Sequence, residues 1–130
     1  MMGKRTAASQ EATAKYEADG ALAGRFDDLF GQAQEAEQAL RTAQANGASD
    51  IELHEAGMRL DGALTDVMRA AFAAQRAEIG PRGYDDRIYR RKAMATSNVR
   101  TWTMEAERLL TLRESHRLTG IVRLPRQPAA

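Results

Sequence analysis

Residue types able to do chemistry are few and far apart in this 130-residue chain. There is no cysteine, which removes thiolate nucleophiles and any disulfide framework. The two histidines, His54 and His116, have no ligand arrangement such as His-Glu-x-x-His around them. Glu52-Leu53-His54-Glu55 reads instead as the solvated first turn of a helix, where carboxylates suit the positive end of the dipole. No metal and no other cofactor is expected. No Ser/His/Asp spacing carries a mechanism, and no carboxylate pair sits among apolar residues that would raise a pKa, so no enzyme activity is expected. Gly80-Pro81-Arg82-Gly83 is glycine-rich, but no strand precedes it and no Lys-Ser/Thr follows, so it is a chain breaker rather than a phosphate cradle. Gly20-Ala21-Leu22-Ala23-Gly24 matches GxxxG in a polar context, which excludes a membrane dimer motif.

The strongest functional hint is a basic segment. From Gly80 onward there are 11 Lys/Arg against 5 Asp/Glu, whereas the chain up to Ile79 has 8 against 13. The overall charge of +1 therefore conceals an acidic and a basic half. Such a split suits a protein that meets different partners at its two ends, or its own copies head to tail. Helical spacing predicts local pairs Asp86–Arg90, Glu105–Arg108 and Glu114–Arg117. Arg87, Arg91, Lys92, Arg100 and Arg113 are then left over, flanked by Arg82, Arg123 and Arg126. They are spread around the helix rather than gathered on one face, which favours protein contacts over groove reading. The alternative is non-specific, salt-dependent nucleic-acid binding.

These residues need elements to hold them, and the apolar pattern supplies helices. Residues 9–45 read as helix, with Ser9 as cap and Asp19-Gly20 as the expected end or bend of a first segment. A seam then runs through Leu22, Phe26, Leu29, Ala33, Ala36, Leu40 and Ala43 at alternating spacings of four and three. Asn46-Gly47 ends it, and Ser49-Asp50-Ile51-Glu52 forms a capping box for the next helix. That helix, about 50–79, repeats the seam as Leu53, Gly57, Leu60, Leu64, Val67, Ala71 and Ala74. At ~1.5 Å per residue it would be about 45 Å long, which suggests a rod. After the breaker, Asp85 or Asp86 can cap a third helix running to about Leu118 and closed by Gly120. Its seam is Ile88, Ala95, Val99, Trp102, Ala106 and Leu109, with Lys92 interrupting and Trp102 as the largest anchor. Pro125 and Pro128 forbid helix in the tail.

The expected fold is all-α: a long antiparallel helical hairpin with coiled-coil-like seams, joined to a third helix by a hinge at Gly80, Pro81 and Gly83. Within a single domain, 1–20 is an N-terminal segment, 21–79 the acidic hairpin, 80–83 the hinge, 84–120 the basic helix and 121–130 an extended tail. Much of the nominal apolar content is alanine, so the core is thin and partner subunits are expected to add stability. No apolar run approaches the ~20 residues of a membrane span. The basic start lacks the apolar stretch of a secretory signal. Arginine outnumbers lysine 16 to 3, a bias that favours bidentate contacts to carboxylates and phosphates.

The stretch Ala74-Gln75-Arg76-Ala77-Glu78-Ile79-Gly80, followed by a glycine-containing turn and a polar helix, resembles part of the internal or ejection proteins of short-tailed bacteriophages. That resemblance implies a non-enzymatic virion component, present in many copies near the portal, tail or capsid interior. Expected partners are protein subunits, its own copies among them, in a homo-oligomer or larger complex. The expected location is the virion or the cytoplasm.

Overall fold

The computed structural model describes residues 8–119. These form five α-helices: α1 (Gln10–Ala23), α2 (Phe26–Ala45), α3 (Asp50–Ile79), α4 (Arg87–Ala93) and α5 (Ser97–Thr119). A 3-10 turn, Pro81–Tyr84, precedes α4. The all-α class is as expected. Expectations concerning the basic start, Gly120 and the tail fall outside the described residues.

Contacts group the chain into two compact units. One combines the chain up to Phe26 with Arg69–Glu107; the other combines Asp27–Met68 with the chain from Arg108. Helices α3 and α5 each contribute to both.

In the second unit, the loop between α2 and α3 follows the sequence signals closely. Gly47 takes φ +67°, the left-handed conformation that glycine tolerates. The Ala48 N–H donates to the Ala43 carbonyl and the Gly47 N–H to that of Gln44, the two bonds of a Schellman motif. The capping box is reciprocal: the Glu52 N–H donates to Ser49 Oγ at 3.2 Å, and the Ser49 N–H donates to Glu52 Oε1 at 3.0 Å. Leu29, Ala33 and Leu40 of α2 are buried, as are Leu53, Ala56, Leu60 and Leu64 of α3 and Leu109 of α5. Here α5 is fastened by Arg117, which donates to Asp61 at 2.7 and 3.1 Å, and by His116 Nε2, 3.0 Å from the Gly57 carbonyl.

In the first unit the core is largely alanine: Ala12, Ala70, Ala71, Ala73, Ala74 and Ala106 are buried, together with Ile79 and Val99. Its aromatic anchor is Trp102, which meets Phe26 edge to face with ring centroids 5.1 Å apart. Gln75 Nε2 ties α3 to α5 by donating to Thr103 Oγ1 at 2.7 Å.

Three expectations need correction. The first segment does not end at Asp19-Gly20; helix continues through both, and the bend falls at Gly24-Arg25. Asp19 is engaged by side chains from other elements and has no role in ending the helix. The third helix is two helices, because the chain leaves α geometry at 94–96. There Thr96 Oγ1 donates to the Ala93 carbonyl at 2.7 Å, and the Ala95 and Thr96 N–H groups make tighter three-residue bonds. Hydroxyl side chains offering such local partners compete with the helix ladder. Finally, Ile88 and Ala95 are exposed, so the buried part of that seam begins at Val99.

Glycines allow a direct check of this packing. A Cβ at the buried Gly83 would lie 2.4 Å from Ile79 Cγ2, whereas one at Gly20 or Gly31 would meet nothing within 4 Å. Gly83→Ala should lower stability by about 1–3 kcal/mol, since the buried, β-branched Ile79 has little room to yield. Gly20→Ala and Gly31→Ala, inside helices, should each raise it by roughly 0.5–1 kcal/mol. Thermal unfolding followed by circular dichroism would check both signs, and a neutral Gly83→Ala would contradict the close approach.

Candidate interaction surface

The turn that launches the basic segment is built from its own residues upward. Gly80 adopts φ +101°, which turns the chain sharply after α3. Pro81 presets the first position of the 3-10 turn that follows. Asp86 then caps α4, its Oδ1 accepting from the Tyr89 N–H at 2.9 Å. Of the two candidates for that role, Asp85 does something different: it accepts from the Ser9 N–H at 2.9 Å, linking the start of α1 to the turn. Ser9 in turn caps α1 by accepting from the Ala12 N–H at 3.0 Å.

A second tie lies two-thirds of the way along α1. Asp19 accepts two bonds from Arg76, at 2.8 and 3.1 Å, and a third from the Tyr84 hydroxyl. Burial acts to raise the Asp19 pKa, but the hydrogen bonds from Arg76 and Tyr84 outweigh it and hold the carboxyl below its ordinary range. Burial pushes the Tyr84 phenol up, and its bond to Asp19 pushes the same way. The stretch directly after the expected hinge at 80–83 is thus held on α1 at two points, through Tyr84 and through Asp85.

This geometry sorts the cations. Arg82 folds onto Asp86 at 3.2 Å and stacks over the Tyr89 ring at 4.7 Å, so much of its guanidinium is occupied locally. Arg90 donates to the Gly83 carbonyl at 2.9 Å and not to Asp86, as spacing alone had suggested. Arg113 is no surface group. Its side chain is 16% exposed, and it donates to Glu114 and Thr65 in the second unit. Arg117 pairs with Asp61 and not with Glu114. Arg123 and Arg126 lie outside the described residues. Arg87, Arg91, Lys92 and Arg100 are exposed, and no ion pair engages them among the described residues. Trp102, also expected to contact partners, is half-buried against Phe26.

Two features escaped the sequence reading. Helix α4 buries none of its residues, and Ile88 is 68% exposed among its cations. In the second unit an open apolar groove of about 440 Å³ has Leu40, Leu60, Leu64 and Leu109 among its walls, with Leu112 partly exposed. No cluster of three or more potential metal ligands exists among the described residues. None of their helices is long and apolar enough to cross a membrane.

The Asp19 tie predicts a pH dependence. A carboxyl whose pKa is lower folded than unfolded adds stability above the unfolded value, ~3.9, and that stability is lost as pH falls through the folded value. Asp61, lowered chiefly by its hydrogen bond from Arg117, acts in the same direction. The melting temperature should therefore fall below about pH 4, and less steeply in Asp19→Asn than in the parent. Tyr84→Phe should cost about 1–2 kcal/mol at neutral pH, at the low end for a charged hydrogen bond because Arg76 is half-exposed. Parallel pH slopes in parent and Asp19→Asn would show that the carboxylate does not fasten the turn.

No protein-family model matches the chain, and neither a curated protein nor a solved structure matches it significantly.

Proposed function

We propose that this protein is a non-enzymatic helical assembly subunit that works by binding other protein subunits, its own copies included. The observation that carries the reading is α4, a helix that buries nothing of its own and sets an exposed isoleucine among unpaired cations. An apolar side chain of that size gains stability by leaving water, and phosphate offers it nothing. Further exposed apolar residues, Ile51, Met58, Met104 and Leu118, support association through helix faces. The resemblance of the Ala74–Gly80 stretch to phage internal proteins supports a virion setting, near the portal, tail or capsid interior. Portal, capsid or tail genes beside the gene for this chain are the expected genomic context.

Sedimentation velocity at low and high salt tests the reading. The chain should associate at low salt and dissociate as salt screens the charges. Arg87→Glu combined with Arg91→Glu should weaken association while leaving helicity unchanged, since both side chains are exposed. A parent chain that stays monomeric at every concentration would falsify the proposal. If the double variant assembles normally but loses salt-sensitive binding to a DNA duplex, the cations serve nucleic acid instead.

A further inference from the structure

The two units differ in charge as well as composition. Among the described residues, the first unit carries 10 Lys/Arg and 8 Asp/Glu, and the second 5 and 10. Within the acidic unit, the first half of α3 exposes a stripe that its own fold does not cover. Ile51 is 71% exposed and Met58 54%, and the two are seven residues apart, on one side of the helix. Gly62, four residues further, is exposed with open space around it. Glu55 and Asp66 lie on the same side at helical spacing, both exposed and neither in an ion pair among the described residues. The stripe is thus an apolar centre with two carboxylates along one flank, where the exposed Arg59, four residues past Glu55, also lies.

Helix α4 is its chemical counterpart. Ile88 is central, with Arg91 three residues on and Lys92 four residues on, and Arg87 next to Arg91 on the helix surface. The short helix is a projecting apolar centre bordered by cations. Resting on the assembly reading above, we infer that α4 of one copy docks on the Ile51–Met58 stripe of a second copy. Ile88 packs on Ile51 and Met58, while Arg87, Arg91 and Lys92 meet Glu55 and Asp66.

Self-association is favoured over a foreign partner because both halves of the match are present in one chain. The contact is heterologous: each copy uses α4 on one neighbour and offers its α3 stripe to another. Association of this kind closes into a ring or grows as a chain, and does not stop at an isologous pair. The patches are small, which places a single contact in the weak, salt-sensitive class.

Complementation between two variants tests the pairing. One, Arg87→Glu with Arg91→Glu, spoils the basic helix; the other, Glu55→Arg with Asp66→Arg, spoils the acidic stripe. Each alone should sediment as a monomer at low salt. Mixed, they should associate again, because the intact helix of one meets the intact stripe of the other and the swapped surfaces also match. Ile88→Ser, which leaves every charge in place, should weaken association of the parent chain by about tenfold or more. If the parent self-associates but the mixture stays monomeric, or if either variant associates like the parent, this pairing is wrong although the assembly reading stands. If the parent never associates, both fail together. Retained association in the basic-helix variant alongside loss of DNA-duplex binding would also overturn the pairing and assign the cations to phosphate.

Discussion

Asp19 is the point through which the first unit is tied together. It sits on α1 and accepts from Arg76 near the end of α3 and from Tyr84 in the turn beyond. Two neighbouring stretches, 57 and 65 residues from Asp19 in sequence, converge on its one carboxylate. Without that charge, Tyr84 would place a phenol against α1 with no acceptor, and the segment would lose one of its two ties. The second tie, Ser9 to Asp85, is exposed and therefore weaker. Because α4 buries no residue, its position rests on what flanks it: the turn before it, which Asp19 helps to fasten, and Met94 just after it, whose sulfur accepts from Gln75 Nε2 at 3.7 Å.

The alanine-rich part of α3 makes this polar fastening necessary. Ala70, Ala71, Ala73 and Ala74 are buried on either side of the half-buried Phe72, so the helix is covered over a face wider than one narrow seam. Small side chains let neighbouring backbones approach, but each removes little apolar area from water. Leucines do that work in the second unit, where Leu29, Leu40, Leu53, Leu60, Leu64 and Leu109 are buried. The first unit compensates with side-chain hydrogen bonds between elements: Asp19 with Arg76 and Tyr84, Gln75 with Thr103, Asn98 with Glu78. One consequence is sensitivity to protonation, because the carboxylate that organises these bonds must stay ionised.

Local signals were legible where the chemistry is local. The α2–α3 loop, with its left-handed glycine and capping box, and both ends of α3 follow from neighbouring residues alone. So does the burial of all seven seam positions from Leu53 to Ala74. Features set by distant partners were not. Asp19-Gly20 carries a helix-ending signature, but Arg76 and Tyr84 lie 57 and 65 residues away in sequence, and no local pattern announces them. Asp86–Arg90 and Glu114–Arg117 satisfy helical spacing, yet Arg117 turns to Asp61 and Arg90 to a carbonyl, because tertiary partners outcompeted the neighbours. The break at 94–96 did leave a trace in Ala95-Thr96-Ser97-Asn98, a run of residues whose side chains compete with the helical backbone. A seam drawn through that run overrode the signal.

The charge split also changes meaning once the cations are sorted. Arg82, Arg90, Arg113 and Arg117 are held by the fold, so the basic half presents fewer outward charges than its composition implies. Those left on α4 are not a uniform field, for Ile88 stands among them. Phosphate attraction gains nothing from an exposed isoleucine there, whereas the protein interface proposed for this chain would draw stability from an apolar centre and orientation from a charged border. The acidic unit carries the opposite charge beside its own exposed apolar pair, with Glu55 and Asp66 along one flank of Ile51 and Met58 on α3. Charge alone would bring any acidic and basic faces together in many registers. In the proposed pairing, apolar centres on both faces would select one register, and that selection would turn attraction into assembly.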